Sequence, residues 1–508
     1  MTTHDGNAAH AECFDVLVIG AGFGGLGAAI ALAEQGARVC LCETLRYPGG
    51  CASTFTRHGF RFDAGATLVS GLAKAQLFGS WLARYAPDTR IDWMDPLIQL
   101  RAADLCIDVG RDRARLVERF CAMPGAPVSG IRAFFARQRS VADILWALFD
   151  DPTLLPPFDL RTLARHAGRL LDYALLIPLM GRSLASVLAA HGVATFSPLR
   201  LYVDALCQIT VQCSAAEAEA PFALAAMDYC YRGTAHVHGG VGRLAEALLS
   251  GAAQAGADVR LSTRVTGLRR QHDGDGKEWV AKTRHGEVRA KAVVANLLPA
   301  ALEGLLDEDV RASRKGIALK ARAAPYDDAW GAAMLYAVAR APSDAADDAH
   351  HLQLVADAAR ALQEGNHLFV SISSASETDR APLGRRTLTM STHVPLATLR
   401  DAEPAQYVER VQATMRQTLA LRAPEWSGAI EHVMPASPRT FARFVGRPGG
   451  AVGGLPRATG LSNYGSMGPE EVIDRVWLVG DSVFPGQSAL ATAIGGVRTA
   501  SVVTKSLR

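Results

Sequence analysis

FDVLVIGAGFGGLGAAIALAEQGARVCLCE, running from Phe14 to Glu43, is the stretch that decides the fold. Phe14 to Ile19 is a short apolar run rich in β-branched residues, the composition of a strand buried on both faces. Gly20, Gly22 and Gly25 follow in G-x-G-x-x-G spacing. In that motif the first glycine turns the chain sharply and the second lets a pyrophosphate approach the backbone. The third lets helix and strand pack closely. The spacing predicts a helix over roughly Gly24 to Gln35, with its free N–H groups and positive dipole end facing the phosphate. Arg38 to Cys42 reads as the next strand, and Glu43 at its end stands where a carboxylate binds ribose hydroxyls. A membrane span competes with this reading, because Val16 to Ala33 is eighteen residues without a charge. Five glycines clustered in that run argue against a helix crossing lipid. Strand, glycines, helix and distal acid together specify an ADP-binding βαβ unit.

The 508 residues suffice for two or three domains. A formal net charge of +3, without a lysine or arginine block, gives no reason to expect a nucleic-acid partner. The nine cysteines include no C-x-x-C pair and no histidine-rich neighbourhood, so they read as reduced thiols rather than a disulfide or metal framework. Residues 1–13 are small and polar, with neither basic nor apolar signal regions, and read as a disordered tail.

After Glu43, the sequence Pro48, Gly49, Gly50 is turn chemistry, and Phe60 to Ala64 alternates as a strand. This is either a plain hairpin or a second place where glycine backbone meets a ligand closely. From Leu72 to about Pro221 the periodicity is helical, over Ile131 to Phe149 and Leu160 to His191 in particular. Leu170 to Met180, with a single charge, fits a buried helix, a wall of an apolar cavity or a face dipping into a membrane surface. A second glycine turn, His238 to Gly242, opens a helix over Arg243 to Gly256. Val259 to Leu268 and two further strands follow, ending at Asn296. Recurrence of this pattern suggests that a distant segment completes the first domain. Trp330 to Ala339, His367 to Ser373 and Thr387 to Val394 fit a second sheet. Val476 to Val479 closes as a buried strand, followed by Gly480, Asp481 and a small-residue helix from Ser488.

Four of these segments, PGGCASTFTRHGFRFDAGATLVSGL, AHVHGGVGRLAEAL, NHLFVSIS and LVGDSVFPGQSALATAIGG, resemble the FAD-dependent phytoene desaturase, carotenoid isomerase and retinol saturase group of the flavin amine oxidase superfamily. The resemblance spans Phe14 to Ala500. It implies an α/β fold with a Rossmann-like FAD-binding domain of glutathione-reductase and amine-oxidase type, and a discontinuous α+β substrate domain with a helical segment. The implied division is 14–75, 238–300 and 441–508 for the cofactor, and 76–237 and 301–440 for the substrate. Gly20, Gly22 and Gly25 would face the FAD pyrophosphate, Glu43 the adenosine ribose and Val265 the adenine. Gly49 and Gly50 match the family's second glycine motif, where an arginine commonly follows; here Cys51 does. Gly480 and Asp481 match the phosphate and ribityl motif. Gly486, Ser488 and Ala489 would lie near the pyrimidine edge of the ring, with the helix dipole favouring an anionic reduced flavin. Thr67, Gln487 and His238 are candidate ring-side residues by motif position.

The chemistry implied is flavin-dependent desaturation or cis–trans isomerisation of a long apolar polyene in a water-poor slot. No rival catalytic or metal-binding constellation stands out in the sequence. A saturase or oxidase of another apolar intermediate, and a non-catalytic carrier of lipid-modified proteins on the same fold, are the other readings. The expected location is cytoplasmic, peripheral on the inner membrane, with an electron acceptor the sequence does not specify.

Overall fold

The protein is described by a computed structural model covering residues 13–273, 276–343, 345–401 and 403–508; the expected N-terminal tail falls almost wholly outside them. Its first sheet has the parallel core the opening stretch predicts. Strand Cys13–Ile19 pairs in parallel with Val39–Cys42 on one side and Gly286–Ala295 on the other. Asp258–Arg260 extends the sheet beyond Val39–Cys42, and Val476–Leu478 joins Gly286–Ala295 in parallel. Segments more than two hundred residues apart thus complete one sheet.

The helix predicted after the glycine turn runs Phe23–Glu34, and its closest companion is the C-terminal helix Ala489–Ser506. Small residues make that approach possible. A Cβ on Gly27 would sit 2.5 Å from Ala493 O, and one on Gly24 would sit 2.8 Å from Gly480 N. Because the two helices meet backbone to backbone, the Gly480 turn is held directly beneath the N-terminal glycine turn.

Val259 to Leu268 is not one strand. It breaks into Asp258–Arg260 and Val265–Asp273, with Ser262 at φ 52° between them. The cause is local: Ser262 N–H donates to Leu45 O and Thr263 N–H to Glu43 O, so this segment wraps the end of the Val39–Cys42 strand. The second glycine turn opens helix Val241–Gln254 as predicted. Its N-terminal N–H groups are already satisfied, since Val241 donates to Asp63 and Gly242 to Thr54.

A second, seven-stranded sheet runs Ile430–Ala436, Trp330–Arg340, Arg385–Pro395, His367–Ile372, His350–Val355, Ile98–Arg101, Cys106–Val109. The last two strands lie in the stretch read as helical. They are short, four residues each, and their alternation is too brief to stand out against the helices that follow. Those helices, from Val128–Asp150 to Ala220–Ala226, pack with that hairpin into one apolar core.

Leu170 to Met180 is not a buried helix. It forms a five-residue helix and a short 3₁₀ turn on the surface, with Leu171 87 % exposed and Ile177 67 % exposed. Leu160 and Leu163 on the adjoining helix are exposed as well. The core-packing and cavity-wall readings of this stretch therefore give way to an open apolar face.

A buried charge network ties the second sheet to the hairpin Thr54–Asp63 and to the His238–Gly242 turn. Arg380 Nη2 forms an ion pair with Asp63 Oδ2 at 3.0 Å and Nη1 lies 3.8 Å from Glu377, whose Oε1 meets His236 Nε2 at 2.9 Å and accepts from Gly239 N–H at 2.6 Å. Asp63 and Glu377 thus join the hairpin after the nucleotide unit, the second glycine turn and the second sheet.

Candidate functional site

Three turns converge on one cavity of about 460 Å³ at the carboxyl edge of the parallel sheet. Gly22 comes from the turn after strand Cys13–Ile19, Gly49 and Gly50 from the Pro48–Gly50 turn, and Asp481 with residues 485–492 from the turn that leads into helix Ala489–Ser506. The hairpin after Glu43 contributes Cys51, Gly65, Ala66 and Thr67, so it is both a hairpin and a cavity wall. Apolar side chains from the helical segment and second sheet, including Trp146, Phe149, Phe222, Met334 and Phe369, complete the lining.

The expected residues divide accordingly. Gly22, Gly49, Gly50, Thr67, Asp481, Gly486, Gln487, Ser488 and Ala489 all reach the cavity. Gly20, Gly25, Glu43 and Gly480 lie behind that wall and shape it, while Val265 is buried in the core cluster that includes Ile19 and Cys42. A Cβ on Gly25 would strike Gly20 O, which is the close strand–helix approach the motif requires. Glu43, only 9 % exposed, accepts from Ala21 N–H at 2.7 Å and from Leu45 N–H at 2.8 Å, so its carboxylate braces the first turn. Burial raises its pKa, against the pull of those N–H donors. His238 stands apart from the cavity, its Nδ1 held by Asp92 Oδ2 at 3.0 Å and its backbone N–H by Arg90 O.

Two residues that the sequence reading passed over organise the site. Asn296, at the end of the central strand Gly286–Ala295, packs its amide among the glycines. A Cβ on Gly24 would lie 2.7 Å from its Oδ1, one on Gly480 2.8 Å away, and one on Gly22 would run into Nδ2. The rule that ligands bind beyond the carboxyl ends of parallel strands was the available signal for it. Arg447 makes a two-pronged ion pair with Asp481, Nη1 to Oδ1 at 3.2 Å and Nη2 to Oδ2 at 2.8 Å, while its Nε donates to Ala451 O. Burial works against the guanidinium charge, but Asp481 outweighs it and holds the pKa above the ordinary value. Arg447 also lies close enough to Cys51 to oppose the rise that burial imposes on that thiol. A cation from a distant loop therefore stands beside the position where the second glycine motif carries cysteine. No local sequence signal marks it.

The cavity suits a long ligand with both polar and apolar parts. Thr67 Oγ1 and Gln212 Oε1 are buried in its wall without a hydrogen-bond partner among the described residues, a costly state that a ligand's polar groups would relieve. Glycine-rich backbone, a helix N-terminus and Arg447 answer the needs of phosphates, while the aromatic and aliphatic walls answer those of a hydrocarbon. No group of histidine, cysteine, aspartate and glutamate among the described residues could hold a metal.

Comparison with known proteins agrees with this geometry. The family described as NAD(P)-binding Rossmann-like domain matches residues 18–84. A chloroplastic prolycopene isomerase of Arabidopsis thaliana is 26 % identical over 97 % of this chain and 83 % of its own length. A neurosporene-forming phytoene desaturase of Cereibacter sphaeroides is 37 % identical over 17 % of each. Among solved structures, a putrescine oxidase is similar at a TM-score of 0.62, with 16 % identity over 97 % of this chain and 99 % of that one. The chain therefore has the fold of that oxidase structure, built on a Rossmann-like dinucleotide-binding unit at its N-terminal end. The chain is thus similar along nearly its whole length to a prolycopene isomerase, and over a shorter segment to a phytoene desaturase.

Proposed function

We propose that this chain binds FAD and acts on a long polyene, with cis–trans isomerisation of a carotenoid-like substrate as the leading reaction and desaturation as the second. The supporting observation is the cavity itself: a phosphate-suited end formed by three glycine turns and Arg447 runs continuously into apolar walls. Isomerisation leads because the relative matching along 97 % of the chain is a prolycopene isomerase, whereas the desaturase match covers 17 %.

In this reading Gly20, Gly22 and Gly25 surround the pyrophosphate, Glu43 serves the adenosine ribose through the lone pairs left on its oxygens, and Val265 flanks the adenine. Asp481 serves the ribityl chain, and Arg447 balances both Asp481 and the phosphates. Gly486, Ser488 and Ala489 face the pyrimidine edge, with Thr67 and Gln487 nearby. When bound, FAD supplies two-electron redox chemistry to the conjugated chain. The protein's own part is to orient that chain between Trp146, Phe149, Phe222 and Phe369, and to exclude water from it. Residues 14–75, 238–300 and 441–508 serve as the cofactor domain, and 76–237 with 301–440 as the substrate domain. The exposed apolar face around Leu160, Leu171 and Ile177 is where the protein would meet lipid that carries the substrate; no helix among the described residues is long and apolar enough to cross a membrane.

The test is product analysis under two redox conditions. Purified protein is incubated anaerobically in detergent with a poly-cis carotene and, separately, with phytoene, with and without prior reduction. A geometric change that requires reduction supports isomerisation. A longer conjugated system formed by the oxidised protein supports desaturation. No change in either substrate rejects the polyene reading.

A further inference from the structure

One cation in the cavity wall has no counter-ion among the described residues. Arg457 lines the cavity, donates through Nη2 to Pro485 O at 3.0 Å, and lies with its guanidinium carbon 5.4 Å from the centre of the Phe222 ring. Unlike Arg447, it meets no carboxylate within ion-pair distance among the described residues. Burial pulls its pKa below the ordinary value, with Tyr326 acting in the opposite sense. Enclosing a charge without a partner is expensive, so a guanidinium held this way calls for an anion in the cavity.

Its surroundings say where that anion belongs. Pro485, which accepts its hydrogen bond, begins the loop that enters helix Ala489–Ser506, and a Cβ on Gly486 would lie 3.3 Å from Arg457 Nη2. At the start of that eighteen-residue helix, Ser488 Oγ accepts from Ala491 N–H, and Ser488 O accepts from Thr492 N–H. The N–H groups of Ala489 and Leu490, both at the cavity, find no acceptor among the described residues. A guanidinium and two open N–H donors therefore face the same region, each able to oppose negative charge.

We propose that Arg457 is the counter-ion for the charge that reduction places on the pyrimidine edge of the flavin. This rests on the FAD reading above. Two electrons and one proton reduce the ring and leave it with one negative charge, carried at N1 and the C2 carbonyl; the electrons come from an external two-electron donor. Arg457 and the helix start favour that state over the neutral oxidised ring, so the residue raises the two-electron potential and keeps the reduced form populated for chemistry on the polyene. The Phe222 ring and the Pro485 carbonyl hold the guanidinium in place without neutralising it.

The test uses FAD-loaded protein. FAD content is measured first for the wild type, Arg457→Met and Arg457→Lys; a wild type that takes up no FAD would reject the flavin reading itself. Midpoint potentials are then measured by dye equilibration during anaerobic photoreduction. Arg457→Met should weaken stabilisation of the reduced state at least tenfold, which lowers the potential by about 30 mV for a two-electron couple. Arg457→Lys, which keeps the charge, should recover more than half of that. Equal potentials in wild type and Arg457→Met, with FAD retained in both, would overturn the assignment and leave the guanidinium for an anionic group on the substrate. So would an Arg457→Lys variant shifted as far as Arg457→Met. A variant that fails to retain FAD is replaced by Arg457→Gln, to which the same criteria apply.

Discussion

Replacing Arg447 with methionine should cost this protein its cofactor while leaving its fold. In the native site the guanidinium meets both oxygens of Asp481 at 3.2 and 2.8 Å, with the two side chains 15 % and 18 % exposed. At an effective dielectric near 20, charges about 4 Å apart interact by about 4 kcal/mol. Removing one partner of such an enclosed pair costs about 3 to 5 kcal/mol, because the other charge stays behind. In Arg447→Met that remaining charge is the Asp481 carboxylate, and an anionic pyrophosphate must then bind beside it. A penalty of about 3 kcal/mol on FAD binding is a roughly 100-fold rise in Kd. Fluorescence titration of FAD into apoprotein measures it, with circular dichroism confirming the fold. Asp481→Asn added to Arg447→Met removes the stranded charge and should recover about tenfold of the affinity, a coupling characteristic of contacting partners. If Arg447→Met binds FAD within threefold of wild type, the idea that this arginine balances the cofactor's phosphates is wrong.

Three further outcomes concern the interior and the surface of the same fold. Arg380→Met strands Asp63 and Glu377 in the interior and should destabilise the fold by about 3 to 5 kcal/mol, read as the shift in urea unfolding. His367 is fully enclosed and burial pushes its pKa down to about 3, so it stays neutral in the folded state while the unfolded chain takes up a proton below about pH 6.5. Its contribution to stability is therefore lost as pH falls, by about 2 kcal/mol at pH 5, and His351 and His393 act in the same direction. Glu377, whose pKa is depressed despite burial because His236 and Arg380 favour its charge, loses its contribution only at still lower pH. Unfolding midpoints at pH 7 and pH 5 should thus differ, and His367→Asn should shrink the difference. Finally, Leu171→Asp with Ile177→Asp should reduce sedimentation with phosphatidylcholine–phosphatidylglycerol vesicles about tenfold or more without loss of FAD, given about 1.5 to 3 kcal/mol for burying each side chain. Unchanged sedimentation would mean that this face does not meet lipid.

The fold was legible wherever a local pattern carried it. Phe14 to Glu43 showed strand, turn, helix and strand in one continuous stretch, and the strands expected at Trp330, His367 and Thr387 fall within two residues of their expected bounds. The hairpin Ile98–Val109 escaped because two four-residue strands are shorter than the windows in which period-two alternation can be told from a helix. Leu170 to Met180 left three readings open, because hydrophobicity reports what a side chain would prefer and not whether a neighbour arrives to cover it. The glycines and Asp481 of the site were visible through spacing. Asn296, Arg447 and Arg457 were not, because their roles come from tertiary contacts that bring residues 22, 296, 447, 457 and 481 to one cavity. His238 shows the converse, a motif neighbour whose ring is held by Asp92 away from the site.

The central claim is that three glycine turns, Asp481 and Arg447 hold FAD against an apolar slot for a polyene. An absorption spectrum of the purified protein, repeated after anaerobic addition of a poly-cis carotene to the reduced form, tests it most directly. The account predicts flavin bands at about one FAD per chain, followed by a polyene spectrum that shifts only once the protein has been reduced. A chain that shows no flavin bands even after incubation with FAD would contradict it, and would move the non-catalytic carrier reading to the front.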